Sequence, residues 1–147
     1  MSTQKVTIVG PEGQTDVSII GPCRKAVQVE LSYADARAIG LRPPVRESGN
    51  VENSPGCTII GPNGKITVEE GVIVAKRHVH LTPEDAANFG IKNHQIIKVR
   101  VEGPRALIFD EVVARVSPNY ATYMHIDYDE LNAAALRRGN LVGWIQL

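Results

Sequence analysis

His78-Val79-His80-Leu81-Thr82-Pro83-Glu84-Asp85-Ala86, closing at Gly90, reads as a short strand that runs straight into a capped helix. Polar and apolar residues alternate over His78–Leu81, the period of a half-buried strand. Thr82 offers an oxygen to the unpaired N–H groups of the first helical turn, and Pro83 stands where a missing N–H costs nothing. Glu84 and Asp85 face the positive end of the helix dipole, and a glycine stops the helix. The pattern recurs at Gln28-Val29-Glu30-Leu31-Ser32, followed by Tyr33-Ala34-Asp35-Ala36 and closing at Gly40. A looser third copy is His125-Ile126-Asp127-Tyr128-Asp129, with Asp129 read as the cap, then Glu130 to Arg138, closing at Gly139. Helices of about two turns are too short to stand alone and must cover something larger.

What they cover is β-structure. Val6-Thr7-Ile8-Val9-Gly10-Pro11-Glu12-Gly13 recurs as Cys57-Thr58-Ile59-Ile60-Gly61-Pro62-Asn63-Gly64, each a β-branched strand entering a Gly-Pro-x-Gly turn. Further strands are predicted at 65–68, 71–75, Ile96–Val101, Leu107–Val116 and 141–145. The polar stretch from Pro43-Pro44 to Ser54-Pro55-Gly56 reads as a loop between the halves. The expected fold is mainly β with short capping helices: two small pseudo-repeat β-barrel lobes, approximately residues 1–70 and 71–147, packed as a single unit.

Composition narrows the function classes. The 147 residues carry 16 Lys plus Arg against 16 Asp plus Glu, so the net charge is zero. Nucleic acid and anionic membranes both select a basic face, and aromatics for base stacking make up only 5%. No apolar run approaches the roughly 18 residues of a membrane helix, and Met1-Ser2-Thr3-Gln4 has no signal-peptide core. Cys23 and Cys57 are too few for a disulfide framework and read as reduced cytosolic thiols.

His78 and His80 share one face of a strand, about 6.6 Å apart along its axis, so both imidazoles can reach one ion. A pair of strand histidines that holds nothing is the competing reading. Superposing the copies sets Gln28 and Glu30, and again His125 and Asp127, at the places of His78 and His80. If the lobes face each other, His78, His80, His125 and Glu30 make a zinc set, with Asp127 orienting an imidazole. His94, in Lys92-Asn93-His94-Gln95, reads as an exposed turn histidine. Arg24 and Lys25 stand at the mouth of the Glu30 strand, and Arg46 and Ser48 lie in a Gly-containing turn. An arginine fork there suits phosphate or carboxylate, although loop arginines commonly pair only at the surface. Arg137-Arg138 suits a helix C-terminus, and Cys23 is expected to be a buried small side chain rather than a nucleophile.

Four ordered segments carry a family resemblance along nearly the whole chain: 71–86, Gln28-Val29-Glu30-Leu31-Ser32, Pro43-Pro44-Val45-Arg46-Glu47-Ser48-Gly49 and Met124-His125-Ile126-Asp127. They resemble the PduL-type phosphotransacylases, or phosphate propanoyltransferases. The resemblance implies β-barrel lobes, a zinc site, and a reaction between short acyl-CoA, such as propanoyl or acetyl, and inorganic phosphate. The products would be acyl phosphate and coenzyme A, the co-substrate. It implies His78, His80, His125 and Glu30 as metal ligands, Ser48 beside the metal and Arg24 on phosphate. It also implies a setting in the cytoplasm or inside a bacterial microcompartment. The family usually opens with a further Arg-His-x-His segment that completes a two-metal site, and this sequence starts downstream of it. One expectation is a single-metal enzyme; the alternative is a catalytically impaired metal-binding or interaction module that needs a separate N-terminal segment. A barrel lacking one strand leaves unpaired edge groups, which predicts a homodimer or higher assembly.

Overall fold

The computed structural model describes residues 4–137 and 142–147. The chain divides into two compact units, Met1–Ala75 and Lys76–Leu147, and is mainly β with three short helices among the described residues. No helix among them is long and apolar enough to cross a membrane.

The first unit contains β1 (Lys5–Val9), β2 (Gln14–Ser18), β3 (Val29–Glu30), α1 (Tyr33–Ala38), β4 (Val45–Arg46), β5 (Cys57–Gly61), β6 (Gly64–Val68) and β7 (Val72–Ala75). Two hairpins, β1–β2 and β5–β6, join through β1 and β5 into an antiparallel sheet ordered β2-β1-β5-β6. The β2 strand, absent from the sequence expectation, is the return limb of the first Gly-Pro-x-Gly turn, closed by Gly10 N–H to Gly13 O at 2.9 Å. Gly10 is required there, since a Cβ would meet the Ile39 carbonyl oxygen at 2.2 Å. β7 lies between β3 and β4, parallel to both, so the expected 71–75 strand belongs to the first unit. α1 is capped by Ser32, whose Oγ accepts from Asp35 N at 3.1 Å. It buries Ala36 among Ile8, Val29, Leu31, Ile39 and Val72. Burial of these apolar side chains is what keeps so short a helix folded.

The second unit contains β8 (His78–Leu81), α2 (Pro83–Phe89), β9 (Ile96–Val101), β10 (Leu107–Val116), β11 (Tyr123–His125), α3 (Tyr128–Ala133) and β12 (Gly143–Gln146). Its sheet runs β11-β8-β10-β9-β12, with β8 and β10 parallel and the other pairs antiparallel. β9 alternates strictly, sending Ile97, Val99 and Val101 into a core with Val79, Leu81, Phe109, Val112 and Ala114. α2 is built as its sequence reads: Thr82 caps it, Pro83 opens it, and Gly90 ends it in the left-handed conformation at φ 69°. Thr82→Ala is expected to cost about 1 kcal/mol, the usual worth of such a cap. Urea denaturation checks this, with the midpoint falling and the slope unchanged.

The third helix departs from expectation. Its cap is Asp127, not Asp129: Asp127 Oδ1 accepts from Glu130 N at 2.9 Å while Glu130 Oε2 accepts from Asp127 N at 3.0 Å. This reciprocal pair satisfies two otherwise orphaned donors and fixes Asp127 as the residue that opens the helix. The expected closure at Gly139, the residue Arg138 and the start of the 141–145 strand lie outside the described residues.

Candidate functional site

β8 lies between β10 and β11, and the pairing register decides which side chains meet. His125 stands opposite His78, and Tyr123 opposite His80; on the other side Val113 pairs with His78 and Arg115 with His80. Residues in register share a face, as do residues two apart on one strand. His78, His80 and His125 therefore project together while Val79 and Leu81 point into the core. The potential ligand atoms of the three histidines all lie within 4.8 Å of one another. Ring centroids are 4.8 Å apart for His78–His80 and His78–His125 and 4.4 Å for His80–His125.

Two contacts orient these rings. His78 Nδ1 lies 2.9 Å from the Lys76 carbonyl oxygen. A carbonyl only accepts, so Nδ1 carries the proton and Nε2 keeps its lone pair free for a metal. His80 stacks on Tyr120, with centroids 3.9 Å apart and planes 12° off parallel. Desolvation by burial, then His125, His78 and Arg115, push the His80 pKa down from 6.5 to about 4. It is a neutral imidazole at pH 7, the form that binds metals. The unfolded chain takes up this proton near pH 6.5 and the folded chain does not, so the metal-free protein loses stability as pH falls from 6.5 to about 4. Denaturation against pH checks this, and His80→Gln should flatten the slope over that window. Three imidazoles on one face fit zinc, which takes imidazole nitrogens at about 2.0–2.1 Å and in reactive sites keeps a position open.

The first unit brings together Arg24, Gln28, Glu30 and Ser48. Ser48 Oγ accepts from Arg24 Nη1 at 2.9 Å and from Gln28 Nε2 at 2.8 Å, and donates to Glu30 Oε1 at 3.4 Å. Gln28 Nε2 also donates to Glu30 Oε1 at 2.6 Å, while its Oε1 accepts from Gly49 N at 2.7 Å. Gln28 is the hub, a role the sequence reading did not give it, although its place in the repeat matches His78. Arg46 donates to its neighbour's carbonyl, Val45 O, at 3.3 Å.

Other expectations are corrected or placed. Aligned on their helix caps, the three copies match Glu30 with His80 and His125, each two residues before Ser32, Thr82 or Asp127. His125 therefore corresponds to His80 rather than to His78, and Asp127 is a helix cap rather than a partner that orients an imidazole. Burial raises the Asp127 carboxyl, opposed by the Glu130 backbone hydrogen bond. Cys23 is exposed rather than buried, because residues 19–27 form a solvent-facing loop after β2; Cys57 is the buried one. His94 is an exposed turn residue with φ 63°.

The sequence profile of the family described as phosphate propanoyltransferase matches residues 1–137. The chain belongs to that family. It is 52% identical to the phosphate propanoyltransferase of Enterococcus faecalis over 137 residues, covering 92% of this chain and 65% of that protein. It is 53% identical to the phosphate propanoyltransferase of Thermotoga maritima over 141 residues, covering 95% of this chain and 67% of that protein. The chain thus spans about two-thirds of the length of the curated relatives it matches.

Proposed function

We propose that this chain acts as a zinc-dependent phosphate acyltransferase on short acyl-CoA thioesters such as propanoyl-CoA. A phosphate oxygen attacks the thioester carbonyl carbon, the C–S bond breaks, and the coenzyme A thiolate leaves with the electron pair. The leaving thiolate is stable enough that no acyl-enzyme nucleophile is needed. The observation that carries the reading is the face of three imidazoles in a chain that belongs to this family. Zinc, when bound, supplies Lewis acidity toward an oxygen that gains negative charge. His78, His80 and His125 hold it, His78 with its Nε2 lone pair set by the Lys76 contact. Arg24 binds a phosphate oxygen through N–H groups beyond the one given to Ser48, and Ser48 holds that guanidinium in place.

Glu30 is proposed as a further zinc ligand, supported by its match to His80 and His125 relative to the helix caps. The test is coenzyme A thiol release from propanoyl-CoA, with and without phosphate, run beside elemental zinc analysis of the parent and Glu30→Ala. Phosphate-dependent release with zinc reduced in Glu30→Ala supports both parts. Bound zinc with no release means a metal-binding module instead, and unchanged zinc in Glu30→Ala removes that residue from the ligand set.

A further inference from the structure

One carboxylate spans the two strands that carry the histidines. Glu130 Oε1 accepts from Arg77 Nη1 at 2.8 Å, and Glu130 Oε2 accepts from the backbone N of Asp127 at 3.0 Å. Arg77 immediately precedes His78, Asp127 stands two residues beyond His125, and His78 and His125 are direct cross-strand partners. The bridge therefore closes around the pair of imidazoles. Both of its arms are themselves held. Arg77 Nε donates to the Asp110 carbonyl at 2.6 Å, and its guanidinium lies 5.8 Å from the centre of the Phe109 ring. Glu130 is fixed by its part in the α3 capping box.

β11 needs such a fixture. It is three residues long and, among the described residues, pairs only with β8. A short edge strand with one ladder slips or frays easily. At its other end Thr122 Oγ1 donates to Asp85 and accepts from Thr82 N at 3.3 Å, so α2 secures the entry to the strand. The Arg77–Glu130 bridge secures the exit, next to His125.

We propose that Arg77 and Glu130 are positioning residues for the three-histidine site, holding His125 in register against His78 so that the imidazoles converge on one ion. This rests on the metal-binding reading given above. The pair is partly exposed, with 30% and 19% of the side chains accessible, a setting in which an ion pair adds little to stability. Its loss therefore shows in metal affinity rather than in melting.

The experiment uses the full chain and its Glu130→Gln, Arg77→Gln and Arg77→Lys variants. Glutamine at 130 keeps an acceptor for Asp127 N but turns an amide N–H₂ group toward Arg77. Zinc affinity is measured by competition with a chromophoric chelator, and ligand geometry by the visible spectrum of the cobalt(II)-loaded protein. We expect Glu130→Gln and Arg77→Gln to bind zinc roughly 10- to 100-fold more weakly, the usual effect of removing an outer partner of a metal ligand. Their cobalt band intensity should change while the metal-free melting temperature stays near the parent's. Arg77→Lys, which keeps the charge and one donor, restores part of the affinity. Glu84→Gln, at an exposed position of α2, leaves everything unchanged. Variants that match a zinc-binding parent in affinity and spectrum overturn the positioning role alone, as does affinity that falls only in step with melting and is not recovered by lysine. A parent that takes up no zinc overturns the metal reading and this proposal with it.

Discussion

Replacing His78 and His80 together by glutamine is expected to remove stoichiometric zinc from the chain and to lower the proposed phosphate-dependent thioester cleavage by roughly 10³-fold. The size follows from Lewis-acid stabilisation of several kcal/mol, each 1.36 kcal/mol being about tenfold in rate. The loss is expected to be specific, because β8 alternates: the histidines face out while Val79 and Leu81, 5% and 0% exposed, face the core. Glutamine leaves that alternation intact, so the metal-free melting temperature should stay near the parent's. It also removes the imidazole that burial, His125, His78 and Arg115 hold neutral at pH 7, and the one whose Nε2 is set free by Lys76. Elemental analysis of the purified double variant decides the matter. Full zinc content would mean that the metal sits elsewhere in the chain.

What the sequence made legible were features encoded in neighbouring residues. Alternation located β9 and a long, largely apolar run located β10, each at both ends, and the side-chain oxygens of Ser32 and Thr82 located two helix starts. The His-x-His spacing put two imidazoles on one face before any partner strand was known. β2 escaped because Gln14-Thr15-Asp16-Val17-Ser18 has one large apolar residue and little to bury. The repeat nevertheless held the information: a turn that feeds 65–68 in one copy must feed a return strand in the other. Asp127 and Asp129 are equally good acceptors in isolation. Only the Asp127–Glu130 spacing of a capping box separates them, and that spacing aligns His125 with His80. The Arg77–Glu130 bridge and the Tyr120–His80 stack had no local signature. Their partners are brought together by strand pairing across 53 and 40 positions, a distance over which composition and spacing carry no information.

Arg24→Ala is expected to raise the KM for phosphate roughly 10- to 100-fold, the scale of losing a charge-assisted hydrogen bond of about 1.5–3 kcal/mol. Arg24 sits in an exposed loop, gives one N–H group to Ser48 Oγ at 2.9 Å, and takes part in none of the ion pairs among the described residues. A guanidinium with further donors and no carboxylate against it is suited to an oxyanion. Ser48 is hydrogen-bonded in turn by Gln28, which also holds Glu30 and the Gly49 amide, so the arginine is steered by a network rather than swinging freely. Because the side chain is exposed and buries no apolar surface of consequence, its removal should shift stability by no more than about 0.5 kcal/mol. Arg24→Lys separates charge from shape: it keeps the positive charge but not the planar fork, and its KM should fall between parent and alanine. The acyl-CoA KM should hardly move in either variant. Initial rates against phosphate at saturating acyl-CoA, beside thermal melts, provide the test. A large loss of stability with unaltered phosphate dependence would make Arg24 a structural residue, and its network a means of ordering the loop around Ser48.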